Sequence, residues 1–378
     1  MLKETIRWSV EMADTIISRY PEMYNLKPYQ GKWSYDYGVV LKGVESVYKE
    51  THKQKYLDYI KKSMDFFITE EGSIKHYDKE KFNIDFINNG KILLFLYKET
   101  KQEKYKKAAA RLRDQLADQP RTSEGTFWHK KIYPYQIWLD GLYMGAPFYL
   151  EYIQLFEGGN YTDVIRQFEI CDQHTRSSEN QLRHHAWDEK AVQPWCDPKT
   201  GLSRHYWSRS LGWYLMALAD VIELLKENNN DRDKLIAIFR DTLEGVIRYQ
   251  DTSGTWYQII NQGGRKPNYL ESSGSSMFLY ALAKGRRLGL LEESRWTESM
   301  DRAYEGIIDE FVLTTKEGWL NLNKCCEVAG LGGKEHRDGS FAYYMSEPII
   351  TNDFKAVGAF IQAMSEYEKV KNQREGDL

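Results

Sequence analysis

One carboxylate set among rings is what this chain first offers that could move a proton. In YPYQIWLDGLYMGAPF, Tyr133 to Phe148, Asp140 stands two positions after Trp138, where a turn-rich segment gives way to an apolar helix. The preceding TSEGTFWHKK supplies a glycine turn, then His129 among aromatic and basic neighbours. Gly141, Gly145 and Ala146 keep the helix slim, so a carboxylate at its start, beside tryptophan, tyrosine and histidine, suits general acid–base work in a crowded pocket. Aspartate is also favoured at helix N-termini for structural reasons alone, and capping is the competing reading.

Comparable residues stand at the start of other lean helices. Tyr35, Asp36 and Tyr37 open one, and Asp85 with Asn88 another. His185, Trp187, Trp207 and Arg209 gather before a third, Glu271, Ser272 and Ser273 before a fourth, and Asn352 and Asp353 before the last. Carboxylates, histidines, one arginine and several rings are the makings of a site for an acidic sugar. Each also has a structural reading. Asp85 could cap the helix it opens. Arg209 has a planar fork suited to a sugar carboxylate, yet it could pair with a neighbouring acid. His185 could be an ordinary satisfied histidine, and Trp138 and Trp207 could be core rather than sugar platforms.

Positioning these residues together requires a particular arrangement of helices. Apolar residues recur at three- and four-residue spacing, predicting helices over 2–19, 36–50, 53–68, 84–98, 101–118, 138–155, 160–175, 208–227, 232–250, 271–287, 294–312 and 351–371. They alternate in character: a lysine- and glutamate-rich helix, as in THKQKYLDYIKKSMDFF, precedes a lean one, as in LDGLYMGAPF or NDFKAVGAFIQAM. Turn-plus-aromatic elements such as QGKW, EGTFWH and SGTWYQ lead into the lean set. Helix pairs repeating at about 50 residues form a stacked or closed array. An all-α toroid of six inner helices inside six outer ones, with short β-hairpin loops at one mouth, brings the candidates together. An open helical array is the alternative. No Pro-, Gly- or Ser-rich linker interrupts residues 1–378, which predicts one domain.

Composition excludes several classes. The net charge is −3 without long runs of one sign, which gives nucleic acid or an anionic membrane no purchase. Hydrophobic residues make up 42% and aromatics 14%, with 11 Trp and 27 Tyr, ample for a large core and a ring-lined cleft. Neither a secretory leader nor a bilayer-spanning run is evident, so the expected location is cytoplasmic. Cys171, Cys196, Cys325 and Cys326 show no metal-binding CxxC and are expected to be reduced, buried thiols. HExxH and calcium-loop patterns are missing, and GLGG at 331–334 lacks the Lys-Ser/Thr of a phosphate loop. No metal and no cofactor is expected, and the expected partner is a small-molecule substrate acted on by a monomer.

The motifs WHKKIYPYQIWLDGLYMGAPF, HHAWDE, YWSRSLGWY, RYQDTSGTWYQII, YLESSGSSMFLYALAKG and YYMSEPIITNDFKAVGAFIQAM together resemble the unsaturated rhamnogalacturonyl hydrolases of glycoside hydrolase family 105. The resemblance runs from about Trp33 to Glu366. It implies an (α/α)6 barrel acting in pectin breakdown on lyase-generated disaccharides, whose 4,5-unsaturated galacturonyl residue is linked to rhamnose. It places the catalytic acid and base on Asp140, and substrate contacts on Tyr35, Asp85, His129, Trp138, His185, Trp207 and Arg209. SSENQLR and the late loop KCCEVAGLGGKEHRDGS diverge from the pattern, and the linked sugar is left open there.

An ordinary glycosidase needs two carboxylates around the anomeric carbon. A vinyl ether needs one acid, which protonates carbon 4 and then takes a proton from the water adding at carbon 5. For that, Asp140 is expected to hold its proton above the usual value of about 3.9, with Trp138 and Tyr143 as apolar neighbours and Asp85 as a nearby negative charge, against the pull of the helix N-terminus. The competing functions are an inverting glycosidase using Asp85 with Asp140, an unsaturated glucuronyl hydrolase, and a helical-repeat protein that only binds.

Overall fold

The computed structural model describes residues 7–27, 29–226, 230–333 and 337–376. Helices come in pairs along the chain. The first six are α1 (Trp8–Arg19), α2 (Tyr35–Thr51), α3 (Gln54–Asp65), α4 (Gly90–Thr100), α5 (Glu103–Asp118) and α6 (Leu139–Tyr152). There follow α7 (Thr162–Thr175), α8 (Ser208–Leu224), α9 (Asn230–Ile247), α10 (Ser272–Arg287), α11 (Ser294–Phe311), the short α12 (Phe341–Ser346) and α13 (Phe354–Gly376). Every predicted helix is present within a few residues at its ends except one; residues 2–6 of the first, residue 227 at the end of 208–227, and 334–336 of the late loop lie outside the described residues.

The lean helices pack in a ring, α2 on α4, α4 on α6, α6 on α8, α8 on α10, α10 on α13, and α13 back on α2. Outside them lie the charged helices, α1 on α2 and α13, α3 on α2 and α4, α5 on α4 and α6, α7 on α6, α9 on α8 and α11 on α10. The molecule is therefore an (α/α)6 barrel. Small residues set the spacing of the inner ring, and its tightest approach is at Gly358 of α13. A Cβ there would stand 2.4 Å from the backbone oxygen of Val39 on α2. Among the core residues Leu41, Val44, Leu93, Leu218 and Ile361 are fully buried.

The segment predicted as one helix over 84–98 is two pieces. A 3-10 turn spans Ile84–Ile87, capped by the Asn83 side chain, which accepts from the Asp85 backbone N–H at 3.0 Å. The side-chain amides of Asn88 and Asn89 then donate to the carbonyls of Tyr35 and Ser34 at 2.9 and 3.0 Å, and α4 begins after them. Polar side chains tying the chain to its neighbour outcompete continuous helix here. Helix α12, which apolar spacing did not predict, owes its start to Ser340, whose hydroxyl accepts from the Tyr343 N–H at 3.1 Å.

At the mouth, strand β1 (Gln136–Trp138) pairs antiparallel with β2 (Ala186–Asp188), Trp138 opposite Ala186. The Leu139 N–H continues the pairing to the His185 carbonyl at 3.1 Å. That register sets His185 beside the first turn of α6. Strands β3 (Val312–Thr314) and β4 (Leu320–Leu322) form a hairpin, and β5 (Cys325–Cys326) pairs with β6 (Ile349–Ile350), tying the late loop to the start of α13. All four cysteines are buried and unbridged. No helix among the described residues is long and apolar enough to cross a membrane.

Candidate active site

Asp140 does not cap its helix. Trp138 holds the N-cap position with no side-chain bond, and Asp140 lies two residues further in. Its Oδ2 is buried with no hydrogen-bond partner among the described residues, while the side chain as a whole is 15% exposed, so the other edge of the carboxyl reaches the opening. His185 Nε2, also buried and without a hydrogen bond, faces Oδ2 at 3.4 Å. Behind it, His185 Nδ1 is 2.8 Å from the Tyr344 hydroxyl. Burial, aided by the charge of Asp140, holds the Tyr344 phenol far above its ordinary value, so it keeps its proton. A buried O–H donates where it can, and the ring nitrogen is the acceptor it reaches. Nδ1 therefore accepts and the hydrogen is carried on Nε2, the nitrogen nearer Asp140.

Asp85 sits across the mouth. Its Oδ2 takes an ion pair from Lys130 at 2.7 Å, and its Oδ1 faces His129 Nε2 at 3.4 Å. Burial would raise the Asp85 carboxyl, but Lys130 and then His129 outweigh it and hold the group below its ordinary value. Burial is also the largest influence on His129, pushing it down to about 4 against the pull of Asp85, so the imidazole is neutral near pH 7. The bare negative charge expected from Asp85 is thus matched by Lys130. Tyr143, expected beside Asp140, is engaged elsewhere: it stacks on Trp213 at 4.5 Å and packs under Lys91. Trp138 is the apolar neighbour that the structure provides.

Trp138 and Trp207 belong to a small aromatic cluster at the mouth, apart from the main core, with Trp195, Ile259, Phe341 and Tyr344. The Trp138 indole is stacked by His129 at 4.7 Å and by Tyr133 at 5.0 Å, and its N–H donates to Gln136 Oε1. Trp207 donates to Gln258 Oε1 at 3.0 Å and tilts against His185 at 4.8 Å. Both rings hold the histidines in place, whatever else they touch. Trp187 turns outward onto His174, 3.8 Å away.

Arg209 is almost wholly buried. Its Nε donates to Ser273 Oγ at 2.7 Å, and its outer nitrogens bond the carbonyls of Cys326 and Glu327. Glu271, 3.6 Å away, caps α10 by accepting from Gly274 N–H and also takes the Cys326 N–H. The fork that could have met a sugar carboxylate holds the late loop instead. Asp36 and Asp353 are joined by Lys355, at 3.1 and 2.8 Å, a buried clasp across α2 and α13. Tyr35 stands beside it, half-buried at the rim, its phenol kept neutral mainly by burial.

At the mouth, side-chain contacts thus link Asp140, His185, Trp207, Trp138, His129 and Asp85 in one cluster. Lys130, Tyr133 and Tyr344 join them unannounced. Lys130 lies in WHKK and Tyr344 in YYMSEP, segments whose aromatic and basic residues were legible while their partners, far away in sequence, were not.

The fold is that of a glycoside hydrolase built on a barrel of helix pairs. The chain belongs to Glycosyl Hydrolase Family 88, whose family model matches residues 8–371. It is similar to a glycoside hydrolase from family 105 of C. acetobutylicum, with 50% identity and a TM-score of 0.93 over 96% of this chain and 100% of that one. The unsaturated rhamnogalacturonyl hydrolase YesR of Bacillus subtilis is 28% identical over 284 residues, 73% of this chain and 76% of the relative. The unsaturated glucuronyl hydrolase of Bacillus sp. GL1 shares the fold, with a TM-score of 0.70 at 13% identity, covering 96% of this chain and 95% of that one.

Proposed function

We propose that this enzyme releases the 4,5-unsaturated galacturonyl residue from rhamnose in lyase-generated rhamnogalacturonan disaccharides by hydrating the vinyl ether. The observation that carries the reading is the unequal state of the two mouth carboxylates. Both oxygens of Asp85 face cations or imidazole, and Lys130 holds it ionised, so it is a poor acid and a poor base. Asp140 has no lysine or arginine partner among the described residues and its side chain is 15% exposed, which leaves it as the carboxyl of the two able to exchange a proton. A saturated glycoside would need two. The likeness to YesR, named for the rhamnogalacturonyl substrate, supports the choice of sugar.

In this mechanism Asp140 gives its proton to carbon 4, and the ring-oxygen lone pair stabilises the cation formed at carbon 5. Water adds at carbon 5 and returns a proton to Asp140. The resulting hemiketal opens to a carbon 5 ketone, leaving a hemiacetal at carbon 1. Its collapse to an aldehyde expels rhamnose as an alcohol, and atoms and charge balance without a cofactor. The His185 Nε2–H steadies the carboxylate in the half-cycle when its proton is away. Asp85, Lys130 and His129 form a fixed polar wall for the sugar hydroxyls, with Trp138, Trp207 and Tyr35 as its apolar sides. Arg209 supports that wall from behind through the late loop. The assigned compartment is the cytoplasm, in keeping with four buried, unpaired thiols.

The test is loss of ultraviolet absorbance from the conjugated double bond of the unsaturated disaccharide. Wild type should bleach it, and Asp140→Asn should be slower by about 10²–10⁴-fold. No bleaching by wild type, or undiminished bleaching by the variant, refutes the assignment. Bleaching of an unsaturated glucuronyl disaccharide alone would move the enzyme to that substrate.

A further inference from the structure

A cleft of about 680 Å³ opens at the same end of the barrel, and Tyr35 and Asp85 belong to its lining. Asp85 links the cleft to the Asp140 cluster, bordering the one while its Oδ1 faces His129. The volume falls within the roughly 300–1,000 Å³ of ligand-binding clefts. Its floor is aromatic and fixed. Trp33 is buried and donates its indole N–H to the Phe86 carbonyl at 2.9 Å. Phe86 meets Tyr77 edge-on at 5.8 Å, and the Tyr77 hydroxyl is anchored on Gln115 Oε1 at 2.9 Å.

The rim carries an uncompensated charge. Lys32 and Lys81 are exposed on it, and neither makes an ion pair among the described residues. Asp78, the remaining rim acid, accepts from the Glu80 N–H at 3.1 Å and makes no ion pair among the described residues, so the two amines exceed the unmatched acids by one charge. Asp85 is matched by Lys130 at 2.7 Å. In a chain with net charge −3, the rim therefore favours an anion. A rigid aromatic floor beneath two free amines suits a sugar that presents one face and a carboxylate.

We propose that this cleft is an outer subsite that binds the acidic sugar of an oligosaccharide continuing beyond the two residues held at Asp140. The inference rests on the hydrolase reading above. In a chain of alternating uronic acid and rhamnose, the third sugar bears the next carboxylate, so a tetrasaccharide brings a charge that the disaccharide lacks. Lys32 and Lys81 meet that charge, and the rings of Phe86 and Tyr77 meet the sugar.

Turnover of unsaturated disaccharide and tetrasaccharide by the full chain, wild type and Lys32→Gln/Lys81→Gln, tests it. The expected kcat/KM is about fivefold higher for the tetrasaccharide, as for two exposed ion pairs. That excess should shrink with added salt and vanish in the double variant, whose disaccharide rate is unchanged. Equal kcat/KM for both substrates in wild type, or an excess that survives the double substitution, overturns the subsite and leaves the hydrolase intact. Turnover of neither substrate refutes the hydrolase. The subsite is then judged by calorimetric titration with a saturated galacturonate–rhamnose tetrasaccharide, and equal affinity in wild type and double variant overturns it.

Discussion

His185 is the residue through which the site's chemistry and its architecture meet. Its Nε2 faces Asp140 at 3.4 Å and its Nδ1 takes the Tyr344 hydroxyl at 2.8 Å, so a phenol from α12 chooses the imidazole tautomer. Tyr344 is a positioning residue in this scheme: it touches no substrate, and acts by keeping a hydrogen on the nitrogen nearest the acid. Tyr344→Phe removes the donor while leaving the ring. The freed Nδ1 can then take the hydrogen, leaving Nε2 a bare lone pair against the Asp140 carboxylate. We expect kcat to fall on the order of tenfold with KM nearly unchanged, the cost of one misplaced buried hydrogen bond. A purely structural role for Tyr344 would instead lower the Tm and leave the kcat of the folded enzyme where it was.

At the scale of elements, the close approach of α2 and α13 at Gly358 closes the ring and sets the width of the mouth. A Cβ at Gly358 would lie 2.4 to 2.7 Å from three backbone atoms of Val39 and Val40, and backbone in mid-helix cannot step aside as a side chain can. Gly358→Ala should therefore cost about 1–3 kcal/mol, read as a lower urea midpoint at unchanged slope. An unchanged midpoint would mean that the two helices separate freely and that the Asp36–Lys355–Asp353 clasp alone holds them. The helices were legible because their apolar spacing repeats locally, and the lean set was legible as inner because glycine and alanine mark close approach. The ring of candidates followed from topology. What stayed hidden depended on partners distant in sequence: Lys130 on Asp85, Tyr344 on His185, the fork of Arg209 turned into the late loop. The break before α4 was missed for the same reason, since Asn88 and Asn89 find their acceptors on Tyr35 and Ser34, some fifty residues away.

Across the whole molecule, the barrel has two unlike ends. The mouth gathers helix N-termini and the proposed active-site cluster, while the C-terminal halves of the inner helices enclose a charged well of about 340 Å³. Most charges there are matched: Lys284 by Asp220 and Glu223, Arg287 by Glu223 and Glu366, Lys98 by Glu151. Lys91 makes no ion pair among the described residues. Its amine lies 3.4 Å from the centre of the Tyr143 ring and donates to the Tyr143 carbonyl at 3.2 Å. Burial, only partly offset by Asp220, pushes it down from 10.5 to about 7. Between those values the unfolded chain holds the proton more tightly than the folded one, so this group makes stability rise with pH; below about 7 the cost of burying the cation is felt in full. Lys91→Met should therefore stabilise the barrel by about 1–4 kcal/mol near pH 6, in denaturant unfolding. The gain should fade as the pH approaches 10, where the wild-type amine is neutral in both states or nearly so. A variant less stable than wild type near pH 6 would show that the contacts with Tyr143 outweigh desolvation, making Lys91 a strut of the inner ring rather than a charge it tolerates.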